Sequence, residues 1–314
     1  MAKLLLNADG KVLMKDDKVY KAPEYVSFLQ WKCDNLKSLY MEFDGTALDS
    51  GSLISDEELE NILNGLDTSN VKRFDYMFRS NENITRPKPL NYQNATTLGG
   101  MYSGCNLLSG NIEIEAPKVT SINSLFMDCN NIEMVTFKNM ENLTDIGWAF
   151  SKNKKLKEIH GLKVDKCSSI SNTFNSCSVL ETITTPLNFI KMTSSISFSG
   201  CPKIKNIQIL NIKVNLTIGS GTSWGHLLTL DSLTNTIKEL VNTGSSKTLT
   251  IGSANLEKIA NVYVRRTTEG DIPTCLSDNS NIDLAKAPCE VCEATDEGAM
   301  LIMAYANSKN WTLA

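Results

Sequence analysis

The sequence predicts an α+β repeat fold: a solenoid with a parallel sheet on one face, short helices or 3₁₀ turns on the other, and a cap at each end. Three observations predict it. A position occupied by Cys or Asn recurs with a 24-residue period between Asn81 and Cys201. An aromatic residue stands three positions before each of these, and Ile or Leu stands three positions after it. Such a fixed period is typical of stacked structural repeats, so it takes precedence over local propensity.

The repeated position is the anchor of each repeat. The anchors are Asn81, Cys105, Cys129, Asn153, Cys177 and Cys201. The aromatic column consists of Phe78, Tyr102, Phe126, Phe150, Phe174 and Phe198. The aliphatic column consists of Ile84, Leu108, Ile132, Leu156, Leu180 and Ile204. Only 7% of the chain is aromatic, so six aromatic residues in register mark a real repeat. A further apolar column, six positions after the anchor, is interrupted at Pro87 and Asn111.

The spacing within one repeat, residues 120–143, predicts its local structure. Ile122, Phe126 and Cys129 have the i, i+4, i+7 spacing of a helical turn. Val135 and Phe137 alternate with polar residues as in a strand. We therefore expect one short helix or 3₁₀ turn and one strand per repeat. Stacking puts strand beside strand and closes a continuous core.

The flanks of the repeats predict further units. Residues 1–24 form an N-terminal hairpin or attachment segment turning at Asp9-Gly10, and residues 25–65 form an N-terminal cap. The solenoid itself spans 66–215. Residues 216–254 form a variant last coil with an amphipathic helix, and 255–314 form a C-terminal cap or a small α+β domain.

Composition excludes several function classes. The net charge is −4, and no Lys/Arg cluster is dense enough for nucleic acid or an anionic membrane surface. No apolar run reaches the length of a spanning helix or a secretory signal, so we expect no membrane insertion and folding in a cytoplasm. Nine cysteines without an export signal favour buried thiols over a disulfide framework.

For each candidate reactive residue or motif, the sequence favours a structural role over a chemical one. Cys289-x-x-Cys292 would need two more ligands for zinc, and only Cys33, Cys275 and His226 remain outside the repeat. Adjacent anchors, Cys105 with Cys129 and Cys177 with Cys201, could span a disulfide, but Asn occupies the same position at 81 and 153, which favours reduced thiols. Gly219-Ser220-Gly221 lacks the rest of a nucleotide-binding fingerprint. We predict no catalytic residues, metal or cofactor.

One surface is a candidate for binding. Residues five and seven after each anchor alternate with the buried sixth, so they should project from the sheet and form rows. His160, one of only two histidines, falls in this column beside Glu158, and we interpret both as part of an exposed polar surface. The candidate binding face comprises Met134, Thr136, Glu158, His160, Thr182, Thr184, Asn206 and Gln208.

The repeat carries a family resemblance. The segment LDTSNVKRFDYMFRSNENIT resembles the unit of BspA-like leucine-rich repeats, which are also found in bacterial surface lipoproteins. This resemblance covers roughly residues 66–215 and implies a leucine-rich-repeat-like solenoid that binds proteins or glycans without catalytic residues. MAKLLLNADGKVL, LLTLDSLTNTIKELVN, KTLTIGSANLEKIA and NSKNWTLA are similar to the flanks of phage-encoded relatives. The stretch between Ile259 and Asp296 has no counterpart in them.

The resemblance implies a non-enzymatic phage virion protein, such as a tail-fibre, receptor-binding or head-decoration protein. Its partners would be a host-surface protein or glycan, other virion proteins and further copies of itself as a homo-oligomer. The alternative is a bacterial cell-surface adhesin of the same repeat family. Genome neighbours would separate the two, because capsid and tail genes favour a virion protein and an exported locus favours an adhesin.

Overall fold

One 24-residue period of the sequence corresponds to one coil of the backbone. The computed structural model describes residues 5–6, 12–15, 18–44, 55–218, 228–266, 289–296 and 299–314. They belong to two units, residues 1–180 and 181–314. The boundary between the units falls inside the 66–215 segment that the sequence predicts as one solenoid.

Unit 1 begins with a small antiparallel sheet and three helical segments. Strands β1 (Leu5–Leu6), β2 (Val12–Lys15) and β3 (Lys18–Lys21) pair in sequence order. Helix α1 (Ala22–Trp31) continues into a π-helical turn (Lys32–Leu36), and α2 (Asp56–Asn64) follows. The predicted turn at Asp9-Gly10 lies outside the described residues, but Leu5 and Leu6 pair with Met14 and Leu13 across it.

The coils of unit 1 stack through parallel strands, as the repeat predicts. Strand β4 (Ser109–Glu115) pairs with β5 (Asn131–Lys138), which pairs with β6 (Glu158–His160), all in parallel. A second parallel ladder runs through one residue of each coil: Ser38, Arg73, Thr97, Ser121 and Asp145. Unit 1 is therefore a parallel-strand solenoid.

Of the expected helix or 3₁₀ turn in each repeat, the helix is wrong for unit 1. Residues 65–180 contain no helix, and the segment before each anchor is a series of hydrogen-bonded turns. In the coil of Cys129, the N–H groups of Leu125, Met127 and Cys129 bond three positions back within the coil. The intervening N–H groups, of Ser124, Phe126 and Asp128, bond to carbonyl groups of the next coil. A helix would keep both sets of bonds within the coil.

The left-handed backbone of two columns explains this geometry. Ser124 has φ 58° and Asp128 has φ 63°, and the same two positions have positive φ in five successive coils. A left-handed residue every fourth position reverses the chain, so a helix cannot propagate. The apolar spacing resembles that of a helix because each turn also returns a side chain to the interior after three or four positions.

An aromatic stack forms the centre of unit 1, as predicted. Consecutive ring centroids lie 5.3 to 6.3 Å apart in near-parallel orientation. The stacked residues are Phe43, Phe78, Tyr102, Phe126, Phe150 and Phe174. Phe43 is an addition to the predicted column. It precedes Phe78 by more than one repeat length, so the repeat spacing does not reveal it.

The anchor position requires a hydrogen-bond donor as well as a small size. The Cys129 Sγ lies 2.9 Å from the carbonyl oxygen of Tyr102, and Asn153 Nδ2 donates to that of Phe126 at 2.8 Å. Each acceptor belongs to the aromatic residue of the preceding coil, and both anchors are fully buried. Cys and Asn therefore both occur at this position, because both carry a donor.

The predicted interruption of the apolar column at Asn111 is absent from the structure, because β4 contains a β-bulge there. The register of β4 against β5 shifts between Gly110 and Asn111, where Gly110 has φ 76°. Asn111 consequently faces Met134, and Ile112 pairs with Val135. Ile112 is only 2% exposed, so the apolar column continues through the residue after the one that the spacing indicates.

Unit 2 combines short parallel strands with helices. Its first strands are β7 (Thr182–Ile183), β8 (Leu187–Asn188), β9 (Ile196–Ser197), β10 (Ile209–Leu210) and β11 (Leu216–Thr217). The helix α3 (Leu230–Lys238), the strand β12 (Lys247–Thr250) and the helix α4 (Ser253–Ile259) follow. Strand β8 pairs with β10, and β11 lies between β9 and β12, all in parallel. The helix α3 is the amphipathic helix that the sequence predicts in residues 216–254.

The end of unit 2 contains a second, antiparallel sheet. Strand β13 (Tyr263–Arg266) lies between β14 (Cys289–Cys292) and β15 (Met300–Leu301). The helix α5 (Ile302–Ser308) follows β15. The last strand, β16 (Trp311–Leu313), pairs in parallel with β12, and its Trp311 is buried.

Candidate functional site

The first four residues of the predicted binding face lie together in unit 1. Val135 and Ile159 point into the core, so Met134, Thr136, Glu158 and His160 project outward. Met134 pairs with Glu158, and Thr136 pairs with His160. Because of the bulge in β4, Asn111 and Glu113 extend the same rows. We call these six residues the unit 1 strand face.

Polar and charged groups on this face pair with one another. His160 Nε2 lies 3.0 Å from Glu158 Oε2 on the same strand. The Lys138 ammonium group, at the end of β5, lies 2.7 Å from the Glu113 carboxylate. All of these side chains are partly or well exposed, so water screens the pairs. The face offers hydrogen-bonding groups in rows on an open strand surface.

The other four predicted residues line a groove in unit 2. It has a volume of about 410 Å³. We call it the unit 2 groove, and its lining residues are Thr182, Ile183, Thr184, Asn206, Ile207, Gln208, Thr229, Asp231, Ser232 and Asn235. The second half of the predicted face thus contributes to one concave surface.

The strand register on one wall of the groove differs from the predicted rows. Thr182 bridges Asn206 one full repeat later, as expected, and Asn206 Nδ2 donates to Thr182 Oγ1 at 3.3 Å. Leu187, however, pairs with Ile209, which is two positions short of a full repeat. The segment between Thr182 and Leu187 is therefore two residues longer than the segment between Asn206 and Ile209 that it faces. Thr184 lies in the longer segment. Thr184 and Gln208 line the same groove without being register partners.

Helix α3 forms the opposite wall. Thr229 caps the helix by accepting a hydrogen bond from the Ser232 N–H group, and its own N–H group donates to Lys205 O at 3.0 Å. The Ser232 hydroxyl accepts from the Ile207 N–H group at 3.1 Å. A helix is about 10 Å wide, whereas strands stack about 4.8 Å apart. Because α3, and not a further strand, lies beside the strand segment, a concavity remains between the two walls.

The groove is polar and carries little charge. Among the residues that the structure describes, Asp231 is the only ionisable one in the lining, which otherwise presents hydroxyl groups, amide groups and two buried isoleucines. Within the described part of the chain, the side chains of Gln208, Asp231 and Asn235 make no hydrogen bond to the protein. These three groups are therefore available to a ligand.

The cysteines of the repeats are buried and form no disulfide with one another. Cys105, Cys129, Cys177 and Cys201 are all thiols. Burial raises the pKa of the Cys105 thiol to about 12 and that of Cys129 well above its ordinary value. These two thiols are consequently protonated at neutral pH, which makes them poor nucleophiles.

The remaining candidate ligands are only partly described. Cys292 is a half-buried thiol, whereas Cys275, His226, Gly219-Ser220-Gly221 and the side chain of Cys289 lie outside the described residues. Among the residues that the structure does describe, no group of three His, Cys, Asp or Glu side chains is placed to hold a metal ion. In the same residues, no helix is long and apolar enough to cross a membrane.

Sequence reasoning missed several residues of both surfaces. Asp231, Ser232 and Asn235 line the groove because α3 packs beside residues 206–208, a contact that no local pattern encodes. Asn111 and Glu113 join the unit 1 strand face through the bulge, which the positive φ of Gly110 permits. The glycine was the only indication of the bulge in the sequence.

Part of the chain is similar to a known protein family. Residues 50–134 match the family described as "Mycoplasma protein of unknown function, DUF285". The matched segment includes the first coils of unit 1. Together with the parallel-strand solenoid, this match fits a BspA-like repeat protein. No curated protein and no solved structure matches the chain.

Proposed function

We propose that this protein is a non-enzymatic recognition protein that binds a host-surface protein or glycan through the unit 1 strand face and the unit 2 groove. The observation that carries the proposal is the groove, where four residues of the predicted face meet further polar groups that have no partner in the described protein. Extended polar surfaces on stacked repeats are common binding sites in solenoid proteins.

We further propose that the protein is a phage virion component, in a tail fibre, a receptor-binding assembly or a head decoration. The support is the similarity of both flanks to phage-encoded relatives, through MAKLLLNADGKVL, KTLTIGSANLEKIA and NSKNWTLA. Its partners would then include other virion proteins and copies of itself, with the hairpin of residues 1–24 as the attachment segment.

A bacterial cell-surface interaction protein is the second candidate. The family match favours it, because the description of that family names a Mycoplasma protein. Mass spectrometry and electron microscopy of purified phage particles distinguish the two candidates. Recovery of this chain from particles supports the virion protein, and its recovery only from washed bacterial surfaces supports the adhesin.

The binding surfaces are tested separately with purified protein on host cells. One variant carries Thr136→Ala and Glu158→Ala, and the other carries Thr184→Ala and Gln208→Ala. Ser178→Ala and Ser194→Ala, at exposed positions away from both surfaces, serve as the matched controls.

We expect at least one double variant to lose tenfold or more in affinity while both controls bind as the wild type. All proteins should show the same thermal unfolding midpoint, which separates lost recognition from lost folding. Unchanged binding of both double variants would refute recognition through these surfaces.

A further inference from the structure

We infer that the unit 2 groove binds a neutral carbohydrate of one or two sugar units. This inference rests on the proposed recognition function and assigns the chemical class of the ligand. The groove volume of about 410 Å³ lies in the range of sites for small ligands, which are roughly 300 to 1,000 Å³.

The free groups of the groove match sugar hydroxyls. A sugar hydroxyl both donates and accepts hydrogen bonds, and the side-chain amides of Gln208 and Asn235 do the same. The Asp231 carboxylate can accept bonds from two hydroxyl groups, and such charge-assisted bonds are stronger than neutral ones. The two strands and α3 thus direct amide and carboxylate groups into one space from opposite walls.

The walls of the groove hold these groups in place. Asn206 is fixed by its hydrogen bond to Thr182, and the α3 wall is fixed by the bond from the Ile207 N–H group to Ser232. Asp231 lies in the first turn of α3, two residues after Thr229, which caps the helix. A pre-organised site loses less entropy when a ligand binds.

The charge of the groove selects between ligand classes. Among the described residues of the lining there is no Lys, Arg or His, so an anionic ligand would face the Asp231 carboxylate without a compensating cation from them. Sialylated, sulfated and phosphorylated sugars are therefore disfavoured. A purely apolar ligand would leave the amide and carboxylate groups desolvated and unpaired. A neutral polyhydroxyl compound satisfies both conditions.

The experiment uses the full chain and a printed array of neutral and acidic oligosaccharides that includes lactose and 3′-sialyllactose as a matched pair. Neutral ligands found on the array are then titrated by saturation-transfer NMR. The variants are Asp231→Asn and Gln208→Ala, and Glu257→Gln on the exposed face of α4 is the control. Thr229 is left intact because it caps α3.

We expect binding to at least one neutral saccharide, weaker binding to its sialylated form, and a tenfold or greater loss of affinity in both groove variants. The control should bind as the wild type. Binding to acidic saccharides only, or to none on the array, overturns the inference, as does neutral binding that both groove variants retain.

Failure of this inference is distinguishable from failure of the proposed function. If the array is negative but Thr184→Ala with Gln208→Ala still abolishes binding to host cells, the groove recognises another ligand, such as a protein. Cells treated with glycosidases then retain their binding. If neither the array nor the cells respond to these variants, the recognition function at the groove is itself refuted.

Discussion

Replacing the anchor residue Cys129 tests whether the coil interior requires a hydrogen-bond donor. Cys129→Ala removes a fully buried sulfur and its bond to the Tyr102 carbonyl group. The lost burial and the small cavity cost about 1 kcal/mol, and the lost hydrogen bond costs about 1 kcal/mol more, giving a total of about 2 kcal/mol. The total stays this low because Tyr102 O keeps its bond from the Cys105 N–H group. For a unit of this size, the loss lowers the unfolding midpoint by roughly 4 to 8 °C.

Cys129→Asn is the matched variant, because Asn153 fills the equivalent position and donates to Phe126 O. We expect it to lose less than about 1 kcal/mol, since the donor is retained. Urea denaturation monitored by circular dichroism gives both free energies of unfolding. If Asn is as destabilising as Ala, or if Ala is harmless, the donor requirement is wrong.

Buried thiols and backbone conformation give three further predictions. Burial raises the pKa of the Cys105 thiol from its ordinary value of 9.0 to about 12 in the folded protein. Above pH 9 the thiol therefore ionises in the unfolded chain only, which lowers the free energy of unfolding by about 1.4 kcal/mol per pH unit, whereas below pH 9 it has no effect. Denaturation of Cys105→Asn between pH 9 and 10 should therefore show a shallower decline than the wild type, and equal slopes would contradict this. A methyl group at Gly161 would overlap the Phe137 carbonyl oxygen, whereas one at Gly110 meets open space, although both residues have positive φ. Gly161→Ala should consequently cost at least about 2 kcal/mol more than Gly110→Ala by chemical denaturation, and similar losses would refute the crowding. Lys152 is exposed with φ 65°, so Lys152→Gly should stabilise unit 1 by about 0.5 to 1 kcal/mol, while Lys154→Gly, which relieves no positive φ, should not. Thermal unfolding of the two variants compares them, and a destabilised Lys152→Gly would count against backbone strain there.

The repeat made the interior of unit 1 predictable from the sequence. Phe126 and Phe150 stack because equal spacing in the chain becomes equal position in successive coils. Phe43 shows the limit of that argument, because it joins the same stack from beyond one repeat length. The chain between Phe43 and Phe78 includes α2. A coil that is lengthened by an inserted helix does not follow a fixed repeat period, so the period does not reveal it.

The conformation of the turns could not be predicted from apolar spacing alone. Ile122, Phe126 and Cys129 are buried as a helix would bury them, yet alternate N–H groups bond to the neighbouring coil. The distinguishing feature is the sign of φ at Ser124 and Asp128, which neither residue type fixes by itself. The apolar spacing is therefore compatible with either turns or a helix, and the hydrogen bonds to carbonyl groups of the neighbouring coil decide in favour of turns.

The candidate site was predicted in part. Thr182 and Asn206 face outward as the alternation of strand residues requires, and both line the groove. Asp231 was missed because it lies in the first turn of an amphipathic helix whose packing partner is set by tertiary structure. The two-residue offset between Thr182 and Leu187 was missed for the same reason, since no glycine marks it.

The alternating hydrogen bonds of unit 1 have a consequence for how such chains change length. Each inner coil offers carbonyl groups to the preceding coil at the same positions at which it bonds to the following coil, and the anchor position is occupied by either Cys or Asn. A duplicated 24-residue segment would find its partners already in place on both sides. A single inserted residue would instead displace every left-handed position after it, except at a bulge such as Gly110. Size variation among related solenoids should therefore come in whole coils, and the number of coils can change without redesign of the core.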